Sequence, residues 1–241
     1  MELTFDDFRK RAQDPTLSKW EKIGFPNEYR EGKEELVFID IYEKCIHDKS
    51  PVHKILDVGC GCSDLVHLIM NYSANNNIEL TLIDSDEMLR LLPDNLNGIT
   101  KIPGIFPDIE FLNNEKEIYD VIIVYSVIQY AFIHQNIFSF IHRCVELLKP
   151  GGRLLLGDIP NVSSRNRFLK SEEGIKFSNK SNDINNEKMQ FVHFDDERID
   201  DAIIFSIMSR FRNFNCETYL LPQKAGLPFS NRREDILIIK R

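Results

Sequence analysis

Residues Lys54-Ile55-Leu56-Asp57-Val58-Gly59-Cys60-Gly61-Cys62-Ser63-Asp64 decide the fold. The β-branched and apolar run up to Val58 predicts a strand, the two glycines a sharp turn, and Ser63 the start of a helix. Gly59 and Gly61 allow the backbone to turn tightly and to approach a ligand, and the helix N-terminus beyond them offers free N–H groups. Such a turn also occurs with no ligand at all. Its rival reading is the dinucleotide fingerprint GxGxxG, but there the third glycine falls on Asp64, whose carboxylate would face a pyrophosphate. The pattern therefore favours a nucleoside over a dinucleotide.

Outward from this stretch, short apolar runs alternate with helical patterns, which predicts a parallel sheet. Strands are expected at Lys54–Val58, Glu79–Ile83, Gly98–Ile102, Tyr119–Tyr125 and Arg153–Gly157. Ile137, Ile141, Cys144 and Leu148 fall on one face of a helix that Lys149-Pro150-Gly151-Gly152 stops. Residues 1–50 hold three helical patterns (Thr4–Gln13, Thr16–Lys22, Gly32–His47) and form an N-terminal cap, leaving 51–241 as the main domain. Residues 160–196, rich in Ser, Asn and charge, are expected to be a polar lid. A helix at Glu197–Phe211 and strands at Cys216–Leu221 and Asp235–Lys240 complete the chain.

With 241 residues, 42% hydrophobic and 28% charged, the chain has the size and composition of one globular domain with a cap. Lys and Arg total 30 against 38 Asp and Glu, a net charge of −8, which gives no overall field for nucleic acid or an anionic membrane. The longest apolar stretch, Val121 to Ile133, is interrupted by Ser126 and Gln129 and falls short of the ~20 residues that span a bilayer. The first residues, MELTFDDFRKRAQD, lack the apolar region of a secretory signal. Five scattered cysteines argue against a disulfide framework. The expected location is the cytoplasm. Cys60 and Cys62 alone make a poor metal site, and no metal is expected.

Asp57-Val-Gly59-Cys60-Gly61-Cys-Ser63 resembles the DxGxGxG motif of class I S-adenosylmethionine-dependent methyltransferases, with Ser63 in place of the last glycine. Order and spacing over about residues 50–160 carry the resemblance. It implies a Rossmann-like α/β fold: a seven-stranded, mostly parallel sheet with helices on both faces and a final antiparallel strand. It also implies S-adenosylmethionine as cofactor. Asp84, at the end of the second strand and followed by Ser85, takes the place of the acid that binds both ribose hydroxyls. Gly104-Ile105-Phe106 fall where the family wraps the adenine. Ser126, Val127 and Tyr130, in the loop after the fourth strand, border cofactor and acceptor. Leu147 to Asp158 is similar to the segment that closes the lobe. Tyr29 and Arg30 match cap residues with which related small-molecule enzymes hold the methionine carboxylate.

The loop Ser126-Val-Ile-Gln-Tyr130 lacks the Asn/Asp-Pro-Pro-aromatic sequence of nucleic-acid amino-methyltransferases, the paired glutamates of protein arginine methyltransferases and the metal-holding Asp of catechol-type enzymes. The expectation is a small-molecule acceptor methylated on oxygen, and neither a nucleic-acid nor a membrane partner. Methyl transfer from a sulfonium needs a base only for a high-pKa acceptor, and His134, Asp158 and His193 are the candidate bases. His134 is expected to open a helix. Arg165, Arg167 and Lys170 follow the fifth strand in an otherwise acidic chain and could hold a phosphate. That points to a sugar, phosphorylated or nucleotide-linked metabolite of surface glycan synthesis. The alternatives are an N-methyltransferase of a small metabolite and a non-catalytic S-adenosylmethionine-binding accessory subunit.

Overall fold

Apolar runs that are hydrophobic at every position, rather than at alternate ones, can form strands only where both faces of a sheet are covered, and the chain supplies the helices that cover them. The computed structural model describes residues 3–47, 51–94, 96–181 and 198–241. Four short helices come first: α1 (Phe5–Gln13), α2 (Lys19–Lys22), α3 (Asn27–Arg30) and α4 (Glu34–Ile41), the last continuing into a π-helical turn at Tyr42–Ile46. Then follow β1 (Lys54–Val58), α5 (Asp64–Asn75), β2 (Glu79–Asp84), α6 (Asp86–Leu89), β3 (Ile99–Pro103), β4 (Tyr119–Tyr125), α7 (Ile128–His134), α8 (Ile137–Leu147) and β5 (Leu148–Pro160). The chain ends with α9 (Val162–Leu169), α10 (Glu172–Ser181), α11 (Asp201–Arg212), β6 (Cys216–Pro222) and β7 (Arg233–Lys240).

The seven strands lie in the order β3-β2-β1-β4-β5-β7-β6. All neighbours are parallel except the two pairs that β7 makes, with β5 and with β6. In β1, Ile55 faces the core under α4 and α5 with Leu80, Leu82, Val121 and Ile123. Leu56 and Val58 face the other core, with Ile122, Val124, Leu154 and Leu156 against α8 and α11. Each such fully buried aliphatic side chain contributes about 1.5–3 kcal/mol. The strand order reverses between β1 and β4, and at that switch point a crevice opens beyond the carboxyl ends of the strands.

Of the predicted core strands, β1 and β4 form with the expected bounds, β2 ends one residue later, β3 is shifted by one residue, and β5 is extended at both ends. β5 begins at Leu148 rather than Arg153, because the Lys149–Gly152 turn is a bulge within the strand: Tyr119 pairs with Leu148, but Val121 already pairs with Arg153. The pattern at Gly32–His47 divides into α4 and the π-helical turn. Ile128–His134 is helical, so His134 ends α7 instead of opening a helix. The expected polar lid begins as the two helices α9 and α10; Asn161 caps α9 by accepting from the N–H groups of Ser163 and Ser164. The remainder, with His193, lies outside the described residues. No helix among the described residues is long and apolar enough to cross a membrane.

Candidate functional site

The crevice is a cavity of about 310 Å³, within the range of small-ligand sites. The glycine turn forms its floor. Gly59 and Gly61 adopt φ of +71° and +65°, which side chains rarely tolerate. A methyl group on Gly59 would lie 2.5 Å from Cγ2 of Val127, so the turn and the loop after β4 touch. Gly59 N donates to Ile83 O at 2.8 Å. Gly61 N donates to Asp84 Oδ2 at 2.9 Å, and Ser85 N to Asp84 Oδ1 at 2.7 Å. These two bonds lower the pKa of Asp84, but burial outweighs them and pushes it up to about 6. Asp57, two residues before Gly59 in β1, is pushed up to about 7, by burial first and then by the charge of Asp84. The N-terminus of α5 is closed from the cap: Glu34, buried on α4, accepts from Leu65 N at 3.1 Å.

A second wall is set by the ends of β4 and β5. Ser126 and Asp158 both adopt left-handed backbone, φ +60° and +58°, a conformation that non-glycine residues hold only where the surroundings enforce it. Ser126 Oγ donates to Asp158 Oδ2. Arg30, only 4% exposed, reaches in from α3; its Nη2 donates to Ser126 Oγ at 2.8 Å and lies 3.3 Å from Asp158 Oδ2. The guanidinium lies over the Phe25 ring, 4.2 Å from its centroid. Asp158 also accepts from Arg233 Nη1 and from Gln223 Nε2.

The N-terminal helices add to the lining. Phe5 and Phe8 of α1, with Ile23 and Phe25, line the cavity opposite Tyr130 and Ala131 of α7. Phe8 meets the Tyr130 ring edge-on at 5.1 Å. Thr4 and Asp7 form a capping box that starts α1. Arg9 ties the helix to α6, donating from Nε and Nη2 to Glu87, whose carboxyl this pairing lowers to about 2.

Arg30, Gly59, Cys60, Gly61, Asp84, Gly104, Ile105, Phe106, Ser126, Val127, Tyr130 and His134 line this one cavity. Three expected cofactor residues do not. Tyr29 is 41% exposed and packs on Phe229. The Ser85 side chain caps α6, and Asp57 lies beneath the turn. Asp158 is behind the wall, and a carboxylate already accepting from Arg30, Ser126, Arg233 and Gln223 is poorly placed to take an acceptor's proton. Arg165, Arg167 and Lys170 do not line the cavity either, and Arg167 is paired with Asp201 and Glu234. The aromatic residues Phe5, Phe8 and Phe25 were missed, although Phe5 and Phe8, three apart, mark an apolar helix face. Among the described residues, no group of three or more His, Cys, Asp or Glu is arranged to hold a metal ion.

Residues 56–154 match the family model of the methyltransferase domain. A 131-residue stretch is 30% identical to malonyl-[acyl-carrier protein] O-methyltransferase 2 of Ilyobacter polytropus, covering 54% of this chain and 47% of the relative. The chain thus spans about half the length of the curated relative it matches. The solved plantazolicin methyltransferase BpumL, in complex with S-adenosylhomocysteine, superposes over 98% of this chain and 97% of its own with a TM-score of 0.62 at 13% identity. The CurJ carbon methyltransferase superposes over 97% of this chain and 63% of its own with a TM-score of 0.56, also at 13% identity. At such identities the two structures speak for the fold. Residues 56–154 thus match a methyltransferase domain, and the strand order around them is the fold of these solved methyltransferases.

Proposed function

We propose that the protein transfers a methyl group from S-adenosylmethionine to an oxygen of a small, largely apolar acceptor. The observation that carries this reading is the joining, in one cavity, of a polar half (Asp84, the glycine turn, Arg30, Ser126) and an aromatic half (Phe5, Phe8, Phe25, Tyr130). The polar half fits the cofactor. Asp84 accepts from the ribose hydroxyls, Ile105 and Phe106 cover the base, and the Arg30 guanidinium receives the amino-acid carboxylate. When bound, the cofactor supplies an electrophilic methyl group on a sulfonium with a neutral leaving group. Phe8 and Tyr130 then hold the acceptor body and exclude water, so that positioning supplies most of the rate. His134, at the end of α7 and on the cavity lining, is the group that takes an acceptor proton.

A phosphorylated acceptor gains little support, since Arg165, Arg167 and Lys170 stand outside the cavity. The relative from Ilyobacter polytropus is named for O-methylation, which supports oxygen as the acceptor atom. The test is incubation with methyl-labelled cofactor and a panel of phenols, aliphatic carboxylic acids, amines and sugar phosphates. Label is expected in a phenol or an acid. Transfer to sugar phosphates alone would overturn the acceptor class, and cofactor binding with no transfer to any member of the panel would favour an accessory subunit.

A further inference from the structure

We infer that Asp158 is a positioning residue, which with the Ser126 hydroxyl fixes the Arg30 guanidinium so that it receives the amino-acid carboxylate of the bound nucleoside. The inference rests on the reading of the cavity as the S-adenosylmethionine site. Arg30 belongs to α3, a helix of four residues that cannot by itself hold a long side chain in one rotamer. The fixed points are elsewhere. Ser126 N donates to Gly157 O at 2.9 Å and Asp158 N to Asp235 Oδ1 at 2.8 Å, so Ser126 is pinned just beyond β4 and Asp158 within the last residues of the adjacent β5. Their left-handed backbones turn both side chains toward Arg30 Nη2. Asp158 takes its left-handed backbone at the irregularity between Leu156 and Ile159 in the pairing of β5 with β7, and such bulges re-aim a side chain beside functional sites.

The charge distribution points the same way. Two guanidiniums, Arg30 and Arg233, share the single carboxylate of Asp158. The balancing negative charge is deeper, where Asp235 and Asp40 share Lys44, and neither of those carboxylates lines the cavity. The positive excess therefore meets the cavity through Arg30, where an anionic group of the ligand would complete it.

The experiment compares S-adenosylhomocysteine with 5′-methylthioadenosine, which keeps the nucleoside and thioether but lacks the carboxylate, by calorimetric titration. In Asp158→Asn, affinity for S-adenosylhomocysteine is expected to fall at least about tenfold while that for 5′-methylthioadenosine changes less than about twofold. Ser126→Gly, which suits the left-handed backbone, is expected to give the same selective loss on a smaller scale and keeps the test available if Asp158→Asn does not fold. Equal losses for both ligands would mean a merely structural role. Unchanged binding of S-adenosylhomocysteine would mean that Asp158 does not act on Arg30 toward the ligand, and tighter binding that it opposes the ligand's charge; each of these results overturns the proposal. If the wild-type protein binds both ligands equally, the role of Arg30 falls while the cavity reading stands; if it binds neither, both fall.

Discussion

Asp84→Asn separates the two roles of this carboxylate, because stability and ligand affinity should respond differently. In the folded protein the pKa of Asp84 is raised from 3.8 to about 6. Keeping it ionised at neutral pH therefore costs the fold about 3 kcal/mol, at about 1.4 kcal/mol per pH unit. Asparagine removes that cost. It also leaves only one oxygen for the N–H groups of Gly61 and Ser85, and an unpaired buried donor costs about 1–3 kcal/mol. The two effects offset, so thermal stability should stay nearly constant. Affinity should not: losing one ribose hydrogen bond to a charged acceptor costs about 1.5–3 kcal/mol, or roughly ten- to a hundredfold. Thermal unfolding and calorimetric titration with S-adenosylhomocysteine, at one pH near 7.5, measure both quantities. Unchanged affinity would refute the ribose assignment, and a large fall in melting temperature would show that Asp84 serves the turn instead.

In Gly59→Ala the new methyl group meets Val127 at 2.5 Å in a left-handed backbone, costing about 1–2 kcal/mol for conformation alone. Nucleoside affinity should drop at least about tenfold, and Val127→Ala should restore part of it; absence of rescue would place the damage elsewhere. Asp57 and Asp84 both have folded pKa values above 3.8, at about 7 and about 6. Their contribution to stability is therefore full below pH about 4 and is lost as pH rises through 6 and 7. The melting temperature should rise as pH falls from about 8 to about 6, and Asp57→Asn should flatten that rise; an unaltered slope would contradict the assigned burial. Arg9→Ala removes the tie between α1 and Glu87 and should speed release of S-adenosylhomocysteine in stopped-flow fluorescence. An unchanged release rate would mean that α1 does not gate the cavity.

The centre of the fold was legible because parallel strands buried on both faces are written as unbroken apolar runs, as in Val121–Tyr125, and because glycines punctuate β1 and α5. The edges were less legible. At Lys149–Gly152 the Pro-Gly-Gly signal is the same for a loop and for a bulge, and only pairing with Tyr119 and Val121 distinguishes them. Helix α7 was missed because its seven residues continue the apolar run of β4. In the site, the residues read from strand ends, such as Asp84 and Ser126, lie at the cavity, since a strand end fixes their position. Phe5, Phe8 and Phe25 come from short helices whose packing over the crevice depends on long-range ties such as Arg9–Glu87, and no local pattern encodes those. For the same reason nothing in the sequence separated Arg30, which reaches the cavity, from Tyr29, which packs on Phe229.

The most direct test of the account is calorimetric titration of the wild-type protein with S-adenosylhomocysteine, followed by the same titration of Arg30→Ala and Asp84→Asn. One-to-one binding to the wild type is expected, with both variants weakened. Absence of binding to the wild type, or binding that neither substitution alters, would contradict the placement of the cofactor in this cavity.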